Sequence, residues 1–272
     1  MSRLAATFSC LENKKKKALI TFVSANDPNF ITSKQIIFNL PNYGADIIEI
    51  GLPFSDPMAD GPTIQRSSLR GIKAGFNLDK TFKLLSLFRK KNNKTPLVLM
   101  GYFNTISQYG VEKFFSVAKS SGVDGLILVD LPPEEHNHLM SMEKKYNIDI
   151  IRLVTPTTDE KRLKLILKNA TGFIYYVSIS GITGTKKPLI SRVNNAVNKM
   201  RKYTKLPIVV GFGIKYKDQI DKISKFANGV VVGSSLVSII EDSAKNNYNT
   251  QKTLKNIEIF MKSLISNPKH IK

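Results

Sequence analysis

Short apolar runs and longer amphipathic stretches take turns along this chain of 272 residues. The apolar runs fall at 18–24, 46–52, 96–102, 124–130, 148–154, 172–178, 207–211 and 229–232. They are short and rich in β-branched residues, which predicts buried strands. Between them, apolar residues recur at helical spacing over 30–40, in two stretches from Pro62 to about Lys91, and over 111–121, 133–145 and 191–203. A further helix is expected after Thr157-Thr158-Asp159-Glu160, which offers good N-cap chemistry. Gly44, Gly122, Gly172 and Gly229 stand at helix-to-strand junctions, where glycine commonly ends a helix with positive φ. Eight strands alternating with helices predict a parallel (βα)8 barrel, one domain over 1–272. Periodicity cannot show closure, so a doubly wound open sheet is the structural alternative.

One residue breaks the apolar pattern. In the second run, Ile48 and Ile50 share one face of the strand while Ile47, Glu49 and Gly51 share the other. With both faces buried, Glu49 points a carboxylate into the interior, which costs several kcal/mol unless it is paired, hydrogen-bonded or protonated. The strand runs into Pro53, Pro57 and Pro62, with Ser55, Asp56, Asp60 and Gly61 between them, a shaped loop carrying a second acid. An inward carboxylate at the end of a strand and another on the next loop suit acid/base chemistry. The other reading has Glu49 neutralising a buried Lys or Arg and Asp56 or Asp60 capping the helix from Pro62; spacing leaves both open.

Glycine-bearing loops follow the last three strands: 181–184, 211–213 and 233–235. They fall at one predicted barrel face, where free backbone N–H groups and a helix opening at Ser234 would bind an anion such as phosphate. Tyr175 and Tyr176 lie on opposite faces of the sixth strand, so one of them points inward; a core tyrosine with a satisfied hydroxyl is the plainer reading.

Charge and cysteine content narrow the class. The net charge of +20 invites a nucleic-acid reading, but apart from Lys14-Lys15-Lys16-Lys17 the basic residues are scattered, without interleaved aromatics. Cys10 is the only cysteine, and His136, His138 and His270 are the only histidines, so no metal site is expected. No long apolar span marks a membrane helix and residues 1–8 lack the apolar core of a secretory signal; a soluble protein of the cytoplasm, or of a plastid stroma, is expected.

The segment 48–65, IEIGLPFSDPMADGPTIQ, resembles the signature of the tryptophan synthase α subunit family. Further motifs follow in family order: Met100-Gly-Tyr-Phe-Asn104, Gly122 through Pro132, Ser180-Gly-Ile-Thr-Gly184 and Val210-Gly-Phe-Gly-Ile214. The resemblance implies an eight-stranded β/α barrel that cleaves indole-3-glycerol phosphate to indole and glyceraldehyde 3-phosphate, without a cofactor of its own. It implies an α2β2 tetramer with a β subunit that holds pyridoxal phosphate, the loop from Pro53 to Asp60 forming part of the contact. By the same resemblance Glu49 is the general acid/base, Asp60 the second catalytic carboxylate and Tyr175 a supporting tyrosine. Phosphate falls to Gly184, Gly213, Gly233 and Ser234; Phe22, Tyr102, Leu128, Thr183 and Phe212 form the substrate pocket and its closing loop. Asn26 and Ile179 depart from the family pattern, Asn26 where glycine is usual. Another phosphate-binding barrel acting on a phosphorylated sugar, and a basic nucleic-acid-binding barrel, are the alternatives.

Overall fold

The computed structural model describes residues 1–178, 190–211 and 213–265. Its strands are β1 (Ala18–Ser24), β2 (Ile47–Gly51), β3 (Leu97–Gly101), β4 (Gly125–Leu128), β5 (Asp149–Val154), β6 (Ile174–Val177), β7 (Ile208–Gly211) and β8 (Gly229–Val232). Each pairs in parallel with the next and β8 pairs with β1, so the sheet is closed and the open-sheet alternative falls away. The helices are α1 (Arg3–Asn13), α2 (Phe30–Asn39), α3 (Pro62–Lys73), α4 (Leu78–Lys91), α5 (Phe103–Tyr109), α6 (Val111–Ser120), α7 (Asn137–Tyr146), α8 (Glu160–Lys168), α9 (Ile190–Arg201), α10 (Lys217–Ile223), α11 (Ser234–Lys245) and α12 (Thr250–Ile265).

Strand alternation divides the core in two. Ile20, Phe22, Ile47, Val98, Ile127 and Val209 point into the barrel, while Ile48, Ile50, Leu99, Leu126 and Val210 lie in the layer beneath the helices. The N-terminal end of the barrel is plugged by α1, whose Leu4 and Phe8 join the inner cluster; the Phe8 and Phe173 rings lie 5.7 Å apart.

A repeated device fixes that end. A residue one to three positions before an even-numbered strand accepts a hydrogen bond from an amide near the start of the preceding odd-numbered strand. Asp46 accepts from Leu19 N (2.8 Å), Asp124 from Leu97 N (2.8 Å), Thr171 Oγ1 from Ile150 N (2.7 Å) and Asn228 Oδ1 from Ile208 N (3.0 Å). Asp124 also binds the guanidinium groups of Arg3 and Arg89. These bonds satisfy amides that would otherwise be buried without partners at the strand starts.

Several expectations change in detail. The helices α5, α10 and α12 have no counterpart in the alternation pattern, and the stretch 133–145 opens with a 3-10 turn at Pro133–His136 before α7. Gly44, Gly122 and Gly172 have positive φ, but Gly229 does not. Glycine is needed at 229 for closeness instead: a Cβ there would stand 2.8 Å from the Ala18 carbonyl oxygen. Asn26 adopts φ 66° and donates from Nδ2 to the carbonyls of Gly71 and Ala74, so the turn that usually takes glycine is kept. Among the described residues no helix is long and apolar enough to cross a membrane.

Because α1 closes the barrel through Phe8, Phe8→Ala should lower the unfolding free energy by about 3 to 5 kcal/mol, measured by urea denaturation, with far-ultraviolet circular dichroism unchanged. An unaltered midpoint would show that the plug is not part of the core.

Candidate active site

The inward position of Glu49 follows from the register of β2. Glu49 pairs with Phe22 of β1 and Val98 of β3, both inner-face residues. It is fully buried, and neither carboxylate oxygen has a hydrogen-bond partner among the described residues. Among the described residues no Lys or Arg pairs with it. Burial alone raises its pKa from 4.5 to about 8, so the carboxyl is protonated at neutral pH.

Asp60 meets a different environment on the loop between β2 and α3. The Tyr102 hydroxyl donates to Asp60 Oδ2 (3.3 Å) and accepts from Ala59 N (3.0 Å), and the Phe54 ring stacks on Tyr102 at 4.9 Å. Burial raises the Asp60 pKa to about 6, with the Tyr102 hydrogen bond opposing the rise. Asp60 does not cap α3; Gly61 holds that position and Pro62 begins the helix. The capping alternative is thereby excluded.

Beside these acids lies a cavity of about 500 Å³ at the C-terminal end of the barrel. One wall is the loop after β2 and the start of α3, with Asp60, Gly61 and Ile64; Phe22, Met100, Tyr175 and Val231 come from strands. The opposite wall is backbone-rich: Gly211, Gly213, Gly233 and Ser234. Gly213 has φ 63°, and α11 opens at Ser234 with no side chain capping it, so its first amides are available to an anion. Among the described residues lining the cavity none is Lys or Arg.

The structure brings Phe22, Asp60, Tyr175, Gly213, Gly233 and Ser234 to this cavity, and Tyr102 to a narrow slot that shares Phe22, Asp60 and Met100 with it. Tyr175 is the inward member of its pair; its pKa is raised well above the usual value by burial and then by the charges of Glu49 and Asp60. Tyr176 is buried in the outer layer. Glu49 does not itself line the cavity, lying one strand over from Phe22. Leu128 is not brought to the site. It belongs to the outer layer, and alternation turns Ile127 and Val129 inward in its place, with Val129 on the slot. Met100 and Ile64 also line the cavity without having been singled out in the sequence; alternation along β3 and helical phase from Pro62 carried that information. Thr183, Gly184 and Phe212 lie outside the described residues. No group of three or more His, Cys, Asp or Glu side chains able to hold a metal occurs among the described residues.

The model of the tryptophan synthase alpha chain family matches residues 8–266. The chain belongs to that family. Solved structures agree with this membership over nearly the whole chain. Tryptophan synthase subunit alpha from Legionella pneumophila is 34% identical with a TM-score of 0.89, covering 97% of both chains. The A-subunit from Pyrococcus furiosus is 35% identical with a TM-score of 0.82, covering 91% of this chain and 97% of its own. A chain of tryptophan synthase from M. tuberculosis is 27% identical with a TM-score of 0.85, covering 97% of this chain and 98% of its own.

The burial of Glu49 should register in stability. Unfolded, the acid ionises above about pH 4.5; folded, it keeps its proton to about 8. Between those values the folded state binds more protons, so this group makes stability fall as pH rises, by about 1.4 kcal/mol per pH unit at most. Glu49→Gln should remove that slope: urea unfolding should find the variant close to the parent at pH 5 and more stable at pH 8. Parallel curves across that window would mean that Glu49 is not held protonated.

Proposed function

We propose that the chain cleaves indole-3-glycerol phosphate to indole and glyceraldehyde 3-phosphate, with Glu49 as general acid/base and Asp60 as partner of the ring N–H. The observation that carries this reading is a pair of carboxylates whose surroundings push their pKa values apart, to about 8 for Glu49, buried beside the cavity-lining Phe22, and about 6 for Asp60, which lines the cavity. Near neutral pH one is an acid and the other largely a base, the arrangement expected of a site that gives and takes protons in sequence.

The reaction breaks the bond between indole C3 and the hydroxyl-bearing carbon of the glycerol chain. Protonated Glu49 gives its proton to C3, leaving positive charge shared with the ring nitrogen, and ionised Asp60 accepts a hydrogen bond from that N–H and stabilises it. The Glu49 carboxylate then takes the proton of the glycerol hydroxyl. The electron pair of that O–H forms the aldehyde, the C–C bond breaks, and its electrons restore the indole ring. Glu49 ends protonated, as it began. Its carboxyl reaches the ring by turning about its own side-chain torsions, which no hydrogen bond to a described residue opposes. The phosphate lies against Gly213, Gly233 and Ser234, where neutral amides and the α11 dipole receive it.

These steps are proton transfers that the two carboxylates supply, so no cofactor is assigned to this chain. The partner in this reading is a pyridoxal-phosphate β subunit in an α2β2 assembly. Its support is the neighbour described as a tryptophan synthase complex from Pyrococcus furiosus, 34% identical with a TM-score of 0.82. The exposed Met58 on the catalytic loop offers an apolar contact there, whereas Phe54 is engaged with Tyr102.

Purified protein should release indole from indole-3-glycerol phosphate, and Glu49→Gln should reduce the rate by roughly a hundredfold to ten-thousandfold. The parent's kcat/KM should fall as pH rises through about 8, where Glu49 loses its proton. A rate that stays level to pH 10, or an active Glu49→Gln, would remove Glu49 from the reaction. Ser234→Asp should raise KM through charge repulsion with little change in circular dichroism; an unchanged KM would move the phosphate elsewhere.

A further inference from the structure

Two walls of the cavity are joined behind it by an ionic cluster built on two buried carboxylates, Glu241 and Asp27. Arg66 of α3 makes a two-pronged contact with Glu241 of α11, Nε to Oε1 at 2.8 Å and Nη2 to Oε2 at 2.9 Å. Arg70, one turn further along α3, grips Asp27 in the same way at 2.7 and 2.9 Å and brings Nη1 within 3.9 Å of Glu241 Oε1. Lys245 reaches the same oxygen at 2.9 Å. The Glu241 side chain is only 6% exposed and that of Asp27 is fully buried. Arg66 lies about one turn past Pro62, the first residue of α3, and Glu241 about two turns past Ser234, roughly 10 Å along the helix axis. At Gly71 the same helix is pressed against the loop after β1: a Cβ there would stand 2.7 Å from the Ala25 carbonyl oxygen.

Stability gives this arrangement little reason to exist. A salt bridge whose arginine is half exposed contributes little, and Arg70 makes its own two-pronged contact with Asp27. What a two-pronged guanidinium–carboxylate contact does supply is fixed relative position, because both hydrogen bonds hold only in one orientation.

We propose that Glu241 is a positioning residue: through Arg66 it ties the helix following the Asp60 loop to the helix that opens at the anion-binding wall, so that an anion at Ser234 helps hold Asp60 in place. This rests on the proposed reaction for its catalytic consequence, though the mechanical link does not depend on the substrate's identity. An anion at the start of α11 favours one placement of that helix; the Glu241–Arg66 contact passes this preference to α3, whose first residue is two positions from Asp60. Coupling requires that the anion bind the ordered arrangement better than the loose one, and the clamp provides that difference.

Hydrogen exchange of the intact protein, with and without glycerol 3-phosphate as the probe, tests the link, alongside steady-state cleavage of indole-3-glycerol phosphate. In the parent the probe should slow exchange over residues 56–66. In Glu241→Gln that protection should be lost while the probe still binds. The kcat should fall about ten- to a hundredfold, with a smaller change in KM, as expected of a displaced catalytic group. Exchanging the charges, Arg66→Glu with Glu241→Arg, should restore part of both. A purely structural role would lower the unfolding midpoint and leave kcat and the probe's protection alone. Undiminished protection in Glu241→Gln, or none in the parent, overturns the proposal. A parent that protects its loop but releases no indole would instead overturn the proposed reaction and leave the coupling standing.

Discussion

The C-terminal mouth of this barrel is organised around one buried carboxyl group, Glu49, kept without a hydrogen-bonding partner among the described residues. A partner for Glu49 would lower its pKa and hold its side chain still; both effects would work against the proton delivery and recovery proposed for it. Packing supplies the opposite conditions. Phe22, Ile47 and Val98 surround the position with apolar surface, and the closed register of β1, β2 and β3 denies the chain any way to turn the residue outward without moving the rest of the strand. The cost of burial is thus what sets the chemistry. Asp60 shows the contrast: less complete burial and a single phenolic hydrogen bond leave its pKa about two units lower than that of Glu49.

A barrel with such a site needs its rigidity elsewhere, and it is found at the other end. Four side chains, Asp46, Asp124, Thr171 and Asn228, satisfy strand amides near the starts of β1, β3, β5 and β7, and α1 fills the opening. Strand-start amides are matched at the N-terminal end, while at the C-terminal one the start of α11 has no side-chain cap and the carboxyl of Glu49 has no hydrogen-bond partner among the described residues. This division follows from parallel strands. All eight point their C-terminal ends to one side, so loops can vary there while the opposite face holds the fold.

The sequence announced its strands clearly because alternation in a doubly covered sheet leaves few readings; β1 and β8 begin and end where the apolar runs do. Short helices were less visible. With seven residues each, α5 and α10 carry too few turns for periodicity to stand out. In α12, Thr253, Ile257, Met261 and Leu264 do recur at helical spacing, but the alternation argument stops at the eighth strand. Glu49 and Asp60 could be named from strand phase, loop composition and family motifs. Their difference in acidity could not, because it depends on residues far along the chain, Tyr102 above all. Leu128 shows the limit of motif transfer, since a shift of one position along a strand exchanges the inner face for the outer. The pairing of Arg66 with Glu241 spans 175 residues and leaves no local trace.

The high positive charge acquires a physical role once the acids are located. Glu49, Asp27, Asp124 and Glu241 are buried within the molecule, so much of what its surface presents to solvent is lysine. Pairs one turn apart, such as Lys164–Glu160 and Lys262–Glu258, relieve some of the repulsion, though each is solvent-exposed and weak. No described cavity residue is Lys or Arg, so a bound phosphate would be held there by amides rather than by a countercharge. The surface field and the binding wall therefore act at different stages. At long range a net charge of +20 draws an anionic ligand toward the protein and speeds its arrival, an effect that salt screens over about 10 Å at 0.1 M. At the cavity, the neutral donors among the described residues would then hold the phosphate of the proposed substrate without placing a cation beside the carboxyl of Glu49, whose raised pKa such a cation would pull back down.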